Sequence, residues 1–317
     1  MANKPQAYVL TGNFAGVLTH LFASVALAAR QRVARPGKPV SAGYPRMRRD
    51  GGGAAIVMRN KGNPMNTVEI EQNGAVRTIW MNRPEKRNAL DADMLRQITE
   101  ALRAPAAPDD RVVVIRGQGP AFCSGLDMKQ RRESIGTGGA SGIEVMLRAI
   151  ELCPLPVVAV VQGDAIAGGN ELALHCDLVI ASETARFGMS LAQVGLAPNW
   201  FLAKKLMEIL GPVTTREMLL LGDPIPATRL YALGLIARCV PADRLEAEAA
   251  KIVDRLAANA PLSLKAMKAT TVRQLEIRDA IPHADIDALV AAALKSEDAV
   301  EGMTARLEKR RAQFKGL

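Results

Sequence analysis

An alternation of short apolar runs with segments of helical pattern, between residues 75 and 182, is the feature that most constrains the fold. The segments 91–104, 143–153 and the one opened by Gly168 and Gly169 predict helices. Between them, strands are predicted by the β-branched runs AVRTIWMN (75–82), RVVVIRGQG (111–119), PVVAVVQG (156–163) and DLVIAS (177–182). Such an alternation favours an α/β fold whose strands pair in parallel.

The pattern changes after about residue 200, where apolar residues recur at helical spacing almost without interruption. The segments DRLEAEAAKIVDRLAANA (243–260) and TARLEKRRAQF (304–314) are clear examples. A helical region that follows an α/β body is expected to pack on a neighbouring molecule or back on its own core.

The net charge of +9 belongs entirely to the first 65 residues. That segment holds ten basic side chains and one acidic side chain, Asp50, and the rest of the chain holds 31 of each. A neutral body gives no indication of a nucleic-acid partner. No run is long and apolar enough to predict a membrane span.

The extension 1–65 leaves three interpretations open. Its segment VLTHLFASVALAAR (17–30) resembles a signal peptide with Ala26 and Ala28 before the cleavage point. Its arginine-rich, acid-poor composition also resembles an organellar transit peptide, which would place the protein in the mitochondrial matrix. We favour a third interpretation, a flexible or non-native start ahead of Met65, and therefore a cytoplasmic protein.

Cysteines and histidines give no indication of a metal site. Cys123, Cys153, Cys176 and Cys239 form no CxxC pair and are predicted to be small buried hydrophobic residues. His175, in an apolar helix, is predicted to be a packed core histidine. No phosphate-binding loop, dinucleotide fingerprint, zinc-protease motif or serine elbow is present.

Two glycine-containing turns near strand ends are candidate chemical features. The first is AFCSGLD (121–127), and the second is AGGNE (167–171), which runs into an apolar helix and puts Glu171 on its first turn. Glycine lets a backbone approach a ligand closely, and a helix N-terminus offers unpaired N–H groups. Two such groups converging on one oxygen would form an oxyanion hole, although a Gly-Gly pair before a helix is more often simple turn chemistry.

Three segments carry a resemblance to a known family: IWMNRPEKRNALDADM, GPAFCSGLDMKQ and GDAIAGGNELALHCDLVIASETARFG. In this order they resemble the crotonase, or enoyl-CoA hydratase/isomerase, superfamily, over essentially residues 66–317. The resemblance implies a spiral of ββα units with a C-terminal helical region, acyl-CoA thioester substrates, and a homotrimer or dimer of trimers. The implied division is an extension (1–65), a crotonase-like core (66–254) and a helical oligomerisation region (255–317).

The resemblance also implies roles for individual residues. The backbone N–H groups of Leu126 and Gly168 would hold the thioester oxygen, and Glu171 would face the reacting carbons of the acyl chain. No cofactor is expected, because coenzyme A is part of the substrate. The other residues implied in CoA or acyl binding are Lys86, Arg87, Ala89, Cys123, Gly125, Asp127, Met128, Ile166, Gly169, Leu191, Asn199, Trp200 and Lys309, the last on the C-terminal helix.

One position departs from the family pattern. Hydratases of the family carry a second glutamate where this chain has Leu191, and some relatives use an aspartate where it has Asn199. Glu171 would then act alone, with Asn199 positioning water. We expect an enoyl-CoA hydratase first. An isomerase, another lyase or decarboxylase, or a catalytically degenerate acyl-CoA-binding oligomer are the alternatives.

Overall fold

The computed structural model of the chain describes residues 56–58, 67–133 and 142–316. The interpretations of the extension 1–65 therefore lie outside the described residues, apart from the short strand Ile56–Met58. That strand pairs with the next one in antiparallel fashion and so belongs to the main sheet.

The main sheet contains all four predicted strands, within one or two residues of the expected bounds. The strands of this sheet are β1 (Ile56–Met58), β2 (Val68–Asn73), β3 (Val76–Met81), β4 (Val112–Gly117), β5 (Val157–Val161), β7 (Leu178–Ser182) and β10 (Arg238–Val240). They lie in the order β1-β2-β3-β4-β5-β7-β10; the pairs β1–β2 and β2–β3 are antiparallel, and the other pairs are parallel. The predicted parallel pairing is confirmed for β3, β4, β5 and β7.

A smaller sheet consists of the short strands β6 (Ala165–Ile166), β8 (Arg186–Gly188) and β9 (Ile225–Pro226). They lie in the order β6-β8-β9. The sequence pattern predicts an almost wholly helical region after about residue 200, and β9 and β10 are the strands that it does not indicate. Two or three residues are too short to show a strand period, and their partners in the sheets determine their conformation.

The helices follow the bounds α1 (Ala92–Arg103), α2 (Met128–Glu133), α3 (Gly142–Leu152), α4 (Gly168–His175), α5 (Trp200–Leu220, with a break at Gly211), α6 (Ala227–Ala232), α7 (Leu245–Ala257), α8 (Pro261–Leu275), α9 (Ala284–Lys295) and α10 (Glu297–Leu307). Side chains cap several of them. Asp91 accepts a hydrogen bond from the Met94 N–H at the start of α1, and Ser296 accepts one from the Ala299 N–H at the start of α10. The fold is therefore α/β with a helical C-terminal region, as predicted.

The buried core lies on both faces of the parallel strands. Along β4, Val113 and Ile115 face a large apolar cluster that includes α1 and α3, while Val112 and Val114 face a smaller cluster with α7. Alternate residues point to opposite faces of a strand, so a continuous apolar run is what a strand covered on both sides requires. This arrangement holds the ends of β4 and β5 in fixed positions.

The C-terminal segment corrects one expectation. A helix was predicted across 304–314, but α10 ends at Leu307, and Lys309 lies in a turn with φ 57°. The Glu301 carboxylate accepts hydrogen bonds from the Arg310 guanidinium and from the Gln313 N–H. These contacts fold the chain back along α10, so Lys309 is not on the C-terminal helix.

Three of the four cysteines are buried, as the sequence predicts. Cys123, Cys153 and Cys176 are buried free thiols, and Cys239 is half-buried. Among the described residues, no helix combines the length and apolar character that a bilayer crossing requires.

Candidate active site

The two glycine turns, 121–127 and 167–171, lie in contact with each other. A Cβ atom placed on Gly125 would stand 3.1 Å from the backbone nitrogen of Gly168. A Cβ atom placed on Gly168 would stand 3.5 Å from the backbone nitrogen of Leu126. Gly125 also has a φ of +92°, which side chains disfavour. The turns therefore bring together the N–H groups of Leu126 and Gly168.

Both N–H groups are available to a ligand. Gly168 is the first residue of α4, so its N–H has no acceptor within the helix. The Leu126 N–H donates to no backbone carbonyl in the part of the chain that the structure describes. The Leu90 N–H donates to Gly125 O at 2.8 Å, and the Asp127 N–H donates to Leu90 O at 2.9 Å, which fixes the turn. Two fixed donors beside a helix N-terminus suit an oxygen that gains negative charge.

A cavity of about 530 Å³ opens beside these donors. This size is typical of small-molecule sites. It is lined mainly by apolar side chains, together with the two donor residues and a few polar groups. The lining residues are Ser124, Leu126, Met128, Arg131, Ile143, Glu144, Ile166, Ala167, Gly168, Glu171, Met189, Ser190, Leu191, Val194, Leu196, Ala197, Asn199, Leu202, Val290, Leu294, Lys295 and Arg306.

Glu171 is a buried carboxyl group on the first turn of α4, as predicted. Its relative exposure is 0%, and neither carboxyl oxygen has a hydrogen-bond partner among the described residues. Burial raises the pKa of Glu171 well above its ordinary value, and the positive charge of Lys205 opposes this only in part. Lys205 is itself paired with Glu151 at 3.0 Å. A carboxyl group whose pKa is raised in this way is suited to give and take a proton.

His175 is the packed core histidine that the sequence analysis predicted. Its Nδ1 lies 2.7 Å from the backbone oxygen of Glu171, one helical turn earlier, so Nδ1 carries the proton and donates it to that oxygen. Burial lowers the pKa of His175 well below its ordinary value, so the ring is neutral. The 3.6 Å separation between Nδ1 and the Glu171 Oε2 is therefore not an ion pair.

A second cavity of about 670 Å³ adjoins the first and is more basic. Both cavities share Ser124, Leu126, Met128, Ile166, Ser190 and Arg306. The second cavity adds Lys86, Arg87 and Lys129, and it also includes Ala89 and Asp127. An apolar chamber that continues into a basic groove suits a ligand with an apolar end and a phosphate-bearing end.

The basic groove rests on a tight turn after β3. The turn Pro84–Lys86 is followed by Arg87 and Asn88, both with positive φ. Asn88 is fully buried, and its side-chain amide donates to the carbonyls of Gln118, Ala121 and Phe122 at 2.9, 2.9 and 3.1 Å. Asn88 therefore anchors the turn, while its neighbours Arg87 and Ala89 reach the groove.

The structure brings most of the residues implied by the resemblance to these cavities. Lys86, Arg87, Ala89, Leu126, Asp127, Met128, Ile166, Gly168, Glu171, Leu191 and Asn199 line one or both of them. Cys123, Gly125 and Gly169 lie behind the lining and build the turns. A Cβ atom on Gly169 would stand 2.2 Å from Cys123 O, so the backbones pack too closely there for a side chain.

Trp200 and Lys309 line neither cavity. The Trp200 ring stacks on His283 with centroids 4.7 Å apart, and its Nε1 donates to Arg278 O at 3.2 Å. These contacts turn the indole toward the C-terminal helices. Lys309 follows the end of α10, as described above.

Sequence reasoning missed several lining residues. Arg306 lines both cavities and donates to the Ser190 hydroxyl at 3.2 Å. Glu144 lies on the first turn of α3 and lines the apolar cavity. A lone acid at the start of a predicted apolar helix was the available signal for Glu144. Val290 and Leu294 come from α9, whose approach to the cavity no local pattern indicates.

Comparison with known proteins identifies the class. A family model described as enoyl-CoA hydratase/isomerase matches residues 71–317. The chain therefore belongs to the enoyl-CoA hydratase/isomerase family, and the family predicted from the three sequence segments is confirmed.

Individual relatives agree with this assignment. The chain is 33% identical over 254 residues to an enoyl-CoA hydratase of Mycobacterium tuberculosis, covering 77% of this chain and 95% of that protein. It matches the crystal structure of an enoyl-CoA hydratase from Mycobacterium avium subsp. paratuberculosis with a TM-score of 0.69 and 32% identity, covering 80% of this chain and 100% of the other. A methylmalonyl-CoA decarboxylase structure matches with a TM-score of 0.73 and 26% identity, covering 79% and 98%. The predicted crotonase-like fold is thus confirmed.

Proposed function

We propose that the protein is an enoyl-CoA hydratase that adds water to a 2-enoyl-CoA thioester. The observation that carries the proposal is the buried carboxyl group of Glu171 in one cavity with the N–H groups of Leu126 and Gly168. The thioester oxygen accepts both hydrogen bonds, which stabilise the negative charge that develops as water attacks the double bond. Glu171 faces the reacting carbons and exchanges a proton with them.

The adjoining groove supports coenzyme A as the carrier of the acyl group. Lys86, Arg87, Lys129 and Arg306 supply positive charge to bind its phosphates. Asp164 pairs with Arg87 at 2.7 Å and with Arg186 at 2.9 Å, which ties the exposed guanidinium of Arg87 to the edge of the groove. The acyl chain extends into the apolar cavity beyond Gly168. The proposed chemistry requires no cofactor, because coenzyme A enters with the substrate.

Leu191 favours an enoyl-CoA isomerase as the second candidate. Its side chain lines the cavity at the position that matches, by the sequence resemblance, the second glutamate of the family's hydratases. A shift of a double bond needs one base that moves a proton between two carbons, and Glu171 alone could supply it.

Turnover of two substrates separates these candidates. Crotonyl-CoA is expected to lose its conjugated-thioester absorbance and gain the mass of water, and a 3-enoyl-CoA is expected to stay unchanged. The Glu171→Ala variant is the control and is expected to be inactive. Its circular dichroism spectrum is to be compared with that of the wild type to verify that it folds. Conversion of the 3-enoyl-CoA without hydration of crotonyl-CoA would establish the isomerase instead. Binding of both without turnover would establish a degenerate acyl-CoA-binding protein.

We also propose that the protein is a cytoplasmic homotrimer or dimer of trimers, assembled through the helical region 255–317. Large apolar side chains of that region support this, because they are exposed in the single chain: Leu262, Met267, Ile277 and Leu289. Light scattering of the purified protein tests the proposal, and a monomer would contradict it.

A further inference from the structure

Glu144 lines the cavity that also contains the proposed oxyanion hole. It is on the first turn of α3, next to Ile143, whose Cδ1 would stand 2.7 Å from a Cβ atom on Gly168. The α3 helix therefore packs on the start of α4 and brings Glu144 to the cavity that Glu171 also lines. Among the described lining residues, Glu144 and Glu171 carry the carboxyl groups.

Asn199 holds the Glu144 side chain in a defined position. The Asn199 Oδ1 caps α5 by accepting a hydrogen bond from the Leu202 N–H at 3.0 Å. This bond fixes the orientation of the side-chain amide, with its oxygen toward the helix. The Nδ2 is left to donate to the Glu144 Oε1, at 2.5 Å. Asn199, which was expected to position water, thus donates a hydrogen bond to the Glu144 carboxylate instead.

The surroundings of the two carboxyl groups differ. Glu171 is fully buried, and its oxygens have no partner among the described residues. Glu144 is half-buried, accepts the Asn199 N–H, and is attracted by the positive charge of Arg148, one helical turn away. Burial raises the pKa of both groups, but at Glu144 the hydrogen bond and the charge oppose it, so the ionised form is more accessible there than at Glu171.

We propose that Glu144 is the second carboxylate of this site and takes the proton from the water that adds to the acyl chain, an assignment that rests on the proposed hydratase function. As the water oxygen bonds to C3, one water proton passes to ionised Glu144, and the double-bond electron pair moves through C2 to the thioester oxygen. Protonated Glu171 then gives its proton to C2 as the enolate returns to the thioester. One water molecule has been added, and the proton on Glu144 returns to Glu171 through solvent.

Two reactions of the purified full-length protein separate the roles. The first is hydration of crotonyl-CoA. The second is exchange of the C2 hydrogens of butyryl-CoA in heavy water, which needs the oxyanion donors and Glu171 but no attacking water. Both are measured for the wild type, Glu144→Gln and Glu171→Gln. The control Glu100→Gln alters an exposed glutamate of α1 that pairs with Arg96.

We expect Glu144→Gln to lower kcat for hydration about 100-fold or more and to keep most of the exchange activity. Glu171→Gln should lose both reactions, and Glu100→Gln should lose neither. The shorter carboxylate of Glu144→Asp should restore part of the hydration rate, which guards against a folding defect in the glutamine variant. If the Glu144→Gln variant still hydrates crotonyl-CoA, or if it loses exchange as well as hydration, the role proposed for Glu144 is wrong, while the hydratase proposal is unaffected. Absence of hydration in the wild type overturns the hydratase proposal itself.

Discussion

Glycine and carboxyl positions determine this site at the scale of single residues. The lack of a side chain at Gly125 and Gly168 lets two turns touch, and that contact brings two backbone donors together. The carboxyl group of Glu171 is then buried without a hydrogen-bond partner among the described residues, which is an arrangement that costs stability. Such costs are common where a residue is kept for chemistry rather than for folding.

The burial of Glu171 gives a stability prediction with a defined pH dependence. Burial raises the folded-state pKa of Glu171, so the folded protein favours the neutral form. The resulting destabilisation is absent below the unfolded pKa, about 4.3, and grows as the pH rises toward the folded value. Glu171→Gln should therefore melt about 2 °C or more above the wild type at neutral pH, and at the same temperature near about pH 4. Thermal melts at the two pH values test this, and an equal difference at both would contradict it.

Leu191 gives a prediction that depends on Glu144. If Glu144 supplies the second carboxylate, a glutamate introduced at position 191, on the same cavity, should compensate for its loss. Leu191→Glu combined with Glu144→Gln is expected to recover a measurable part of the hydration that Glu144→Gln loses. The gain should be incomplete, because a new buried acid costs stability unless it finds hydrogen bonds.

Crotonyl-CoA absorbance measures this recovery. Adding Glu171→Gln to the double variant is the control and should remove the recovered rate. If a folded double variant hydrates no faster than Glu144→Gln, Leu191 is not a position from which an acid can reach the water.

At the scale of elements, the start of α5 combines a structural and a chemical task. Asn199 caps this helix with one amide atom and holds Glu144 with the other. Asn199→Ala should cost about 1 kcal/mol of stability and also slow hydration, because Glu144 loses its donor. Ser296→Ala removes the matching cap of α10, whose hydroxyl bonds to the Ala293 carbonyl and the Ala299 N–H and to neither carboxyl group, and should cost similar stability without slowing hydration. Equal effects of the two variants on kcat would show that Asn199 acts only as a cap.

The elements also show what a sequence can predict. The strands β4, β5 and β7 were predicted because both of their faces are buried, so apolar runs mark them. In β3 only Ile79 and Met81 are buried, and its β-branched residues marked it instead. The glycine turns and Glu171 were found because short-range chemistry marks them. Glu144 and Asn199 are 55 residues apart, and no local signal predicts their hydrogen bond. The approach of α9 and Arg306 to the cavity likewise depends on tertiary packing.

At the scale of the whole molecule, the excess positive charge and the cavity-lining residues belong to different parts of the sequence. The excess positive charge lies in residues 1–65, and the described residues that line the two cavities all follow residue 85. The strand Ile56–Met58 is the part of residues 1–65 that the structure describes, and it pairs with β2 at the edge of the main sheet. Ligand binding should therefore not depend on residues 1–65, whereas the stability of the sheet edge should depend on the strand Ile56–Met58.

Two truncations test this separation. Deleting residues 1–52 keeps β1, and deleting residues 1–64 removes it. Both should bind butyryl-CoA with the affinity of the full chain in calorimetry, because every described lining residue is retained. The longer deletion should melt at a lower temperature than the shorter one, because the backbone groups of β2 that pair with β1 become unpaired. Weaker butyryl-CoA binding by the 1–52 deletion would show that the extension contributes to the site, and equal melting temperatures would show that β1 adds nothing to the sheet.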